Sequence, residues 1–146
     1  EGALEALKHF AEVFGHIVIV TNQRGVGKGW MTVADLQEIH DRMVAAIVAA
    51  GGRIDRIYFA DSLDNAHPLR KPQPGMAHAA RKDLPAIDFT RSIMIGNNIS
   101  DMEFGRNAGM YTVFLKTTSP GQPLPHISID LAFNSLYDFA KHLRPA

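Results

Sequence analysis

Three polar clusters carry residue types and spacings that could do chemistry. The first is Thr21-Asn22-Gln23-Arg24-Gly25-Val26-Gly27-Lys28-Gly29, a hydroxyl, two amides and two cations followed or interleaved by glycines. Hydroxyl, amide and backbone N–H donors suit the oxygens of a phosphoryl group, and glycine lets the backbone come close. A Walker A loop is excluded, because Asn22 and Gly29 stand where it needs a glycine and a Ser or Thr. The dinucleotide fingerprint is excluded as well, since the glycines read G-x-G-x-G. The second cluster, Arg70-Lys71-Pro72-Gln73-Pro74-Gly75-Met76, places two adjacent cations in a proline-stiffened loop, which lowers the entropy lost when an anion binds. The third, Gly96-Asn97-Asn98-Ile99-Ser100-Asp101, offers oxygen ligands of the kind a hard cation such as Mg²⁺ takes. Each also has a plainer reading: a surface turn, a stiff solvated loop, and a helix cap at Ser100 or Asp101.

The elements that must position these clusters alternate in period. Leu4, Leu7, Phe10, Ala11 and Phe14 recur at helical spacing, predicting a helix over 2–14. His16-Ile17-Val18-Ile19-Val20 is short, β-branched and apolar on both faces, as a strand covered on two sides should be. Thr32 with Asp35 resembles a capping box, opening a helix whose apolar face is Val33, Leu36, Ile39, Met43 and Ile47 and which Gly51-Gly52 ends. Further strands are expected over 54–60, 92–96, 110–115 and, weakly, 129–133, with helices over 75–82, 100–108 and 135–143. Strands alternating with amphipathic helices specify an α/β fold with a mainly parallel sheet, a three-layer Rossmann-like sandwich. Ligands of such sheets sit beyond the carboxyl ends of the strands, where all three clusters fall.

Composition narrows the function classes. The 146 residues are 46% hydrophobic and 21% charged, which suits one globular domain over 1–146. Fifteen basic and fifteen acidic residues cancel, so a nucleic-acid or membrane-surface partner is not expected. No cysteine is present, which removes disulfides and thiolate chemistry and suits a cytoplasmic setting. The longest apolar run is far short of the ~20 residues a membrane helix needs. The seven histidines show no paired metal-ligand spacing; His9, His40 and His78 read as surface or boundary residues, and His67 lies near Arg70. Trp30 and the methionines read as core or rim packing.

Taken together and in order, the clusters resemble the haloacid dehalogenase (HAD) superfamily of phosphohydrolases, in the branch of D-glycero-D-manno-heptose 1,7-bisphosphate phosphatases and histidinol-phosphatases. The resemblance rests on Ile19-Val20-Thr21-Asn22-Gln23 with Gly25 and Gly29, on Arg70-Lys71-Pro72 through Gly75-Met76, and on Met94-Ile95-Gly96 with Ser100-Asp101-Met102 and Ala108-Gly109. It implies an HAD-like fold without a large cap domain, and a Mg²⁺-dependent phosphatase that works through an aspartyl-phosphate. The catalytic roles implied are a hydrogen bond from Thr21 to the transferring phosphoryl and charge neutralisation by Lys71. Asn22, Gln23, Arg24, Lys28, Arg70 and Asn98 would bind or orient substrate, and Asn97 and Asp101 would form the metal side. The partner implied is a small phosphorylated metabolite, preferably a sugar bisphosphate over histidinol phosphate, acted on by a monomer.

Three departures from the family pattern bear on these expectations. The nucleophile motif D-x-D-G-[TS], expected on a strand upstream of the first helix, does not occur. That strand is central in the fold, and without it the neighbouring strands would lack backbone partners. The chain is therefore expected to be the downstream part of a longer protein and inactive alone. Asn97 stands where the family has a metal-binding Asp, which predicts weaker Mg²⁺ binding or a non-catalytic phosphate-binding relative. Residues 61–69 are short and free of cysteine, so the zinc loop of some relatives is not expected.

Overall fold

The first helix, α1 (Ala3–Val13), buries Ala6 and Phe10 and leaves Leu4 exposed. Its end is fastened by Arg53, whose guanidinium donates to the carbonyls of Ala11 (2.7 Å) and Phe14 (2.5 Å). Those carbonyls would otherwise lack partners at a helix terminus. The protein is described from a computed structural model, which covers residues 2–62, 64 and 66–143, with the side chain of Arg24 outside the described part.

The strand β1 (Val18–Asn22) begins two residues later than the apolar run predicts and ends on the Thr-Asn pair itself. A single helical turn, α2 (Arg24–Gly27), occupies the segment expected to be an open glycine loop. Helix α3 (Val33–Ala49) opens with the predicted capping box: Asp35 N–H donates to Thr32 Oγ1 (3.0 Å) and Thr32 N–H to Asp35 Oδ2 (2.9 Å). The buried face of α3 is Leu36, His40 and Ile47, while Val33 and Ile39 are exposed. His40 is thus buried, where the sequence suggests a surface or boundary residue. Val33 is the first residue of the helix and Ile39 lies to one side of the Leu36–His40–Ile47 stripe, so both stay exposed.

Strand β2 (Arg56–Ala60) pairs parallel with β1, placing Thr21 beside Phe59 and Asn22 beside Ala60. After the loop of residues 61–74 come α4 (Gly75–Asp83), a 3₁₀ turn at Phe89–Arg91, β3 (Ile93–Gly96), α5 (Ile99–Ala108) and β4 (Tyr111–Leu115). The chain closes with β5 (Leu131–Phe133) and α6 (Leu136–Lys141). Strands β3, β4 and β5 form a second parallel sheet in that order. Every ladder among the described residues is parallel, as the alternation requires.

Two apolar clusters cover the sheets. Ala6 and Phe10 pack with Val113, Phe139 and Ala140, joining α1 and α6 to β4. Ala60, Met76, Ala77, Phe89, Met94 and Phe104 join α4 and α5 to the strands. Three of the methionines, Met76, Met94 and Met102, are core residues as expected, but Trp30 is 75% exposed with the Lys28 ammonium 4.6 Å above its ring.

The sequence leads to one sheet, but the described residues form two. β1 pairs only with β2, and β3 pairs with β4, so β1 and β3 each keep an unpaired edge. Between them lies a cavity of about 560 Å³ lined by residues of both strands, by Phe10 and Phe14 of the α1 segment, and by Ala77 and Phe104 from the other layer.

Candidate active site

All three clusters lie at the carboxyl ends of the strands, and they meet through one side chain, Lys71. Its ammonium donates to Asp101 Oδ1 at 2.7 Å and to the carbonyl of Val20 at 3.1 Å. Its backbone N–H donates to Asn22 Oδ1 (3.1 Å), and Asn22 Nδ2 reaches back to the Lys71 carbonyl at a longer 3.4 Å. Lys71 and Asp101 are 11% and 7% exposed at their side chains. A buried ion pair must offset the loss of hydration, so it survives only with further hydrogen bonds. Asp101 has them: Oδ2 accepts the N–H groups of Asn97 and Asn98, both at 3.2 Å.

Local sequence explains this convergence. A side chain on residue 96 would put its Cβ 2.4 Å from Asp101, so only glycine lets the carboxylate fold back under the start of α5. A Cβ on residue 75 would lie 2.2 Å from the Pro68 carbonyl, which instead accepts the Gly75 N–H at 2.9 Å. That close turn brings the Arg70-Lys71 pair to the strand ends. Asn107 on α5 completes the fastening, with Nδ2 donating to the Pro72 carbonyl at 2.9 Å. Asn107 and the Val20 carbonyl were invisible to sequence reasoning: one lies on an exposed helix face and the other is backbone.

The remaining candidates fall in different places. Thr21 Oγ1 accepts from Gln23 Nε2 (3.2 Å) and makes only a long contact to the Asn22 carbonyl (3.4 Å). Asn97 is half-buried, its Nδ2 donating to Thr118 Oγ1 (3.2 Å), which leaves Oδ1 for another partner. Arg70 is buried and donates to the Ser62 carbonyl at 3.2 Å, so much of it serves the loop of residues 61–74. Lys28 is exposed and sits over Trp30, and the structure does not bring it to Lys71. Asn98 is exposed at the mouth of the third cluster, its N–H spent on Asp101. The Arg24 side chain falls outside the described residues. The glycine segment is not an open cradle: the N–H groups of Gly29 and Trp30 donate to the Val26 and Gly25 carbonyls.

The hydrogen bonds of Lys71 and Asp101 join the three loops at the carboxyl ends of the strands and place an ammonium beside a carboxylate there. No group of three His, Cys, Asp or Glu side chains gathers among the described residues. A Mg²⁺ ion bound here would have Asn97 Oδ1 and Asp101 as its protein oxygens. A carboxylate has about four lone-pair sites, and three are occupied here. These fit one side of an ion that keeps several waters.

Comparisons with known proteins give the family and the fold. Residues 68–138 match the family model described as HAD-hydrolase-like. A D-glycero-alpha-D-manno-heptose-1,7-bisphosphate 7-phosphatase from Mycobacterium bovis is 30% identical over 140 residues, covering 95% of this chain and 74% of the relative. The chain belongs to the HAD-like hydrolases, in their phosphatase branch. A D-glycero-beta-D-manno-heptose-1,7-bisphosphate 7-phosphatase from Photorhabdus laumondii is 29% identical over 153 residues, covering 99% of this HAD chain and 81% of the relative. Among solved structures, the D,D-heptose 1,7-bisphosphate phosphatase from B. bronchiseptica complexed with magnesium and phosphate superposes with a TM-score of 0.84 at 24% identity, over 96% of this chain and 80% of that one. The α/β HAD fold with parallel sheets and no large cap is thus the fold of this chain. No described helix is long and apolar enough to cross a membrane.

Proposed function

We propose that this chain forms the phosphate-gripping part of a Mg²⁺-dependent phosphatase whose substrate is a D-glycero-D-manno-heptose 1,7-bisphosphate. The observation that carries the reading is the hydrogen-bonded chain from Asn22 through Lys71 to Asp101 and the Asn97 backbone, which ties the three segments together next to Thr21. The relatives that match across nearly the whole chain are named for that bisphosphate, which favours it over histidinol phosphate.

In this reading Thr21 donates its hydroxyl proton to a phosphoryl oxygen, and the Lys71 ammonium faces the charge that develops as the ester bond breaks. Two of the three donors on Lys71 are already directed at Asp101 and Val20, so the third is the one left for substrate. Preorganised donors of this kind need no reorganisation during reaction and are worth ~10²–10³ in kcat. When bound, Mg²⁺ screens repulsion between nucleophile and phosphate. Asn97 and Asp101 would hold its protein side. Asn98, exposed at the start of α5, is the candidate to orient the sugar, whereas Arg70 is buried against its own loop.

The nucleophilic carboxylate is assigned to a strand preceding α1. The unpaired edges of β1 and β3, and the apolar cavity between them, are the support for this placement. Helix α1 runs back toward the start of β1, so its first residue lies at the carboxyl end of the sheet, where such a strand would hand over to it. The protein is read as a cytoplasmic monomer that binds neither nucleic acid nor membrane.

A phosphate-release screen tests the function. With the preceding strand present, release from the heptose bisphosphate should exceed that from histidinol phosphate and from sugar monophosphates. No release from any of them, with phosphate binding retained, would instead mark a non-catalytic phosphate-binding module.

A further inference from the structure

The amides of Asn22 and Gln23 are turned onto the protein and not toward the cleft. Asn22 spends both ends of its side chain on the backbone of one residue, Lys71, which lies 49 positions away. Only one orientation of the amide lets Oδ1 accept an N–H while Nδ2 donates to a carbonyl, so the assignment is set by its partners. Lys71 belongs to a loop without regular secondary structure, and Asn22 supplies the pairing that a neighbouring strand would supply elsewhere. Gln23 acts likewise on Thr21. Its Nε2 donates to the Thr21 hydroxyl oxygen at 3.2 Å and holds that oxygen in place, while the hydroxyl's own contact, to the Asn22 carbonyl, is a long 3.4 Å.

We infer that Asn22 and Gln23 are positioning residues: Asn22 fixes the main chain of Lys71, and Gln23 holds the Thr21 hydroxyl oxygen in place. Neither amide has to touch the substrate. This replaces the substrate-orienting role that sequence reasoning gives them, and its kinetic arm rests on the phosphatase reading above. The physical gain is preorganisation, because a lysine on a loose loop would pay its ordering entropy at every turnover.

A double-mutant cycle tests this. Asn22→Ala should lower kcat about tenfold while KM stays within about twofold, because an interaction acting through Lys71 is felt mainly in the transition state. On a Lys71→Ala background the same change should cost almost nothing further, and Gln23→Ala should be equally silent on a Thr21→Ala background. A further loss in either double mutant, together with a several-fold rise in KM, would overturn the inference by placing the amide on the substrate.

Two readouts stand apart from turnover. Amide hydrogen exchange at Lys71 should speed up at least tenfold in Asn22→Ala and stay protected in Asn22→Asp, which keeps the acceptor oxygen. Titration with inorganic phosphate should show the same non-additivity as the kinetics. Unchanged exchange at Lys71 in Asn22→Ala would sink the inference even if the protein hydrolysed nothing. If exchange and phosphate binding behave as described while no substrate is turned over, the phosphatase reading fails and the positioning role stands.

Discussion

Two cation–carboxylate pairs in this protein have the same contact distance and different chemistry. Lys71 meets Asp101 at 2.7 Å, and Arg106 meets Asp130 through two contacts of 2.7 Å. Arg106 is engaged through all three nitrogens: its Nε and Nη2 also donate to the Ile127 carbonyl, both at 3.2 Å. Asp130 in turn accepts from the Thr112 N–H at 2.8 Å, and the buried Thr112 hydroxyl donates to the Ser128 carbonyl at 2.6 Å. This network ties the connection before β5 to β4 and α5, and it spends four of the five Arg106 N–H groups. Lys71 differs in both respects. It is a compact charge with a donor to spare, and it sits at the carboxyl end of the strands. A planar fork locked on both sides builds structure, whereas a point charge held from one side stays available to an anion.

The largest expected effect breaks the comparison open. Lys71→Ala should lower kcat by ~10²-fold or more, the scale of one preorganised donor. Arg106→Ala should leave kcat within about twofold at a temperature where both variants are folded, and act instead on stability. Steady-state kinetics beside thermal unfolding separate the two. Equal losses of kcat would show that the Arg106 network also shapes the site.

A smaller effect concerns the metal side. Asn97→Asp adds a negative charge to the oxygen donors and should tighten Mg²⁺ binding by roughly tenfold. Calorimetric titration with MgCl₂ reads this without recourse to turnover. An unchanged affinity would remove position 97 from the metal site and leave Asp101 alone there.

The smallest effect sharpens the structural half of the contrast. Hydrogen bonds from Arg106 hold the Asp130 carboxyl at about 2, below its ordinary 3.8. Its folded-state value is lowered, so the stability it contributes is present above pH 3.8 and is lost as pH falls toward 2. The contribution is modest because the pair is about a third exposed at both side chains. Asp130→Asn should flatten the fall in Tm between pH 4 and pH 2, measured by circular dichroism. An unaltered slope would assign the acid sensitivity to other carboxylates.

Element types were legible from the sequence because apolar period reports burial directly. The capping box at Thr32 and Asp35 and the run through Ile95 to Gly96 could be read without coordinates. Boundaries and faces were less so. β1 ends on Asn22 because its ladder with β2 continues past the apolar residues; Val33 is exposed at the first position of α3, and Ile39 because it lies beside the buried stripe and not in it. The glycines at 25, 27 and 29 suggested an open anion cradle, yet local hydrogen bonds consume N–H groups there to build a helical turn.

The chain by itself determined the α/β alternation and which loops carry hydroxyl, cation and oxygen-donor chemistry, since residue type and period are local properties. Tertiary structure alone decided what each polar group faces. Asn22 and Gln23 turn inward, Arg70 is buried against its own loop, and Asp101 serves Lys71 as well as the cap of α5. These outcomes depend on contacts between residues tens of positions apart, where a hydrogen bond goes to whichever donor or acceptor the packed backbone brings within 3 Å or so. No spacing along the sequence carries that information.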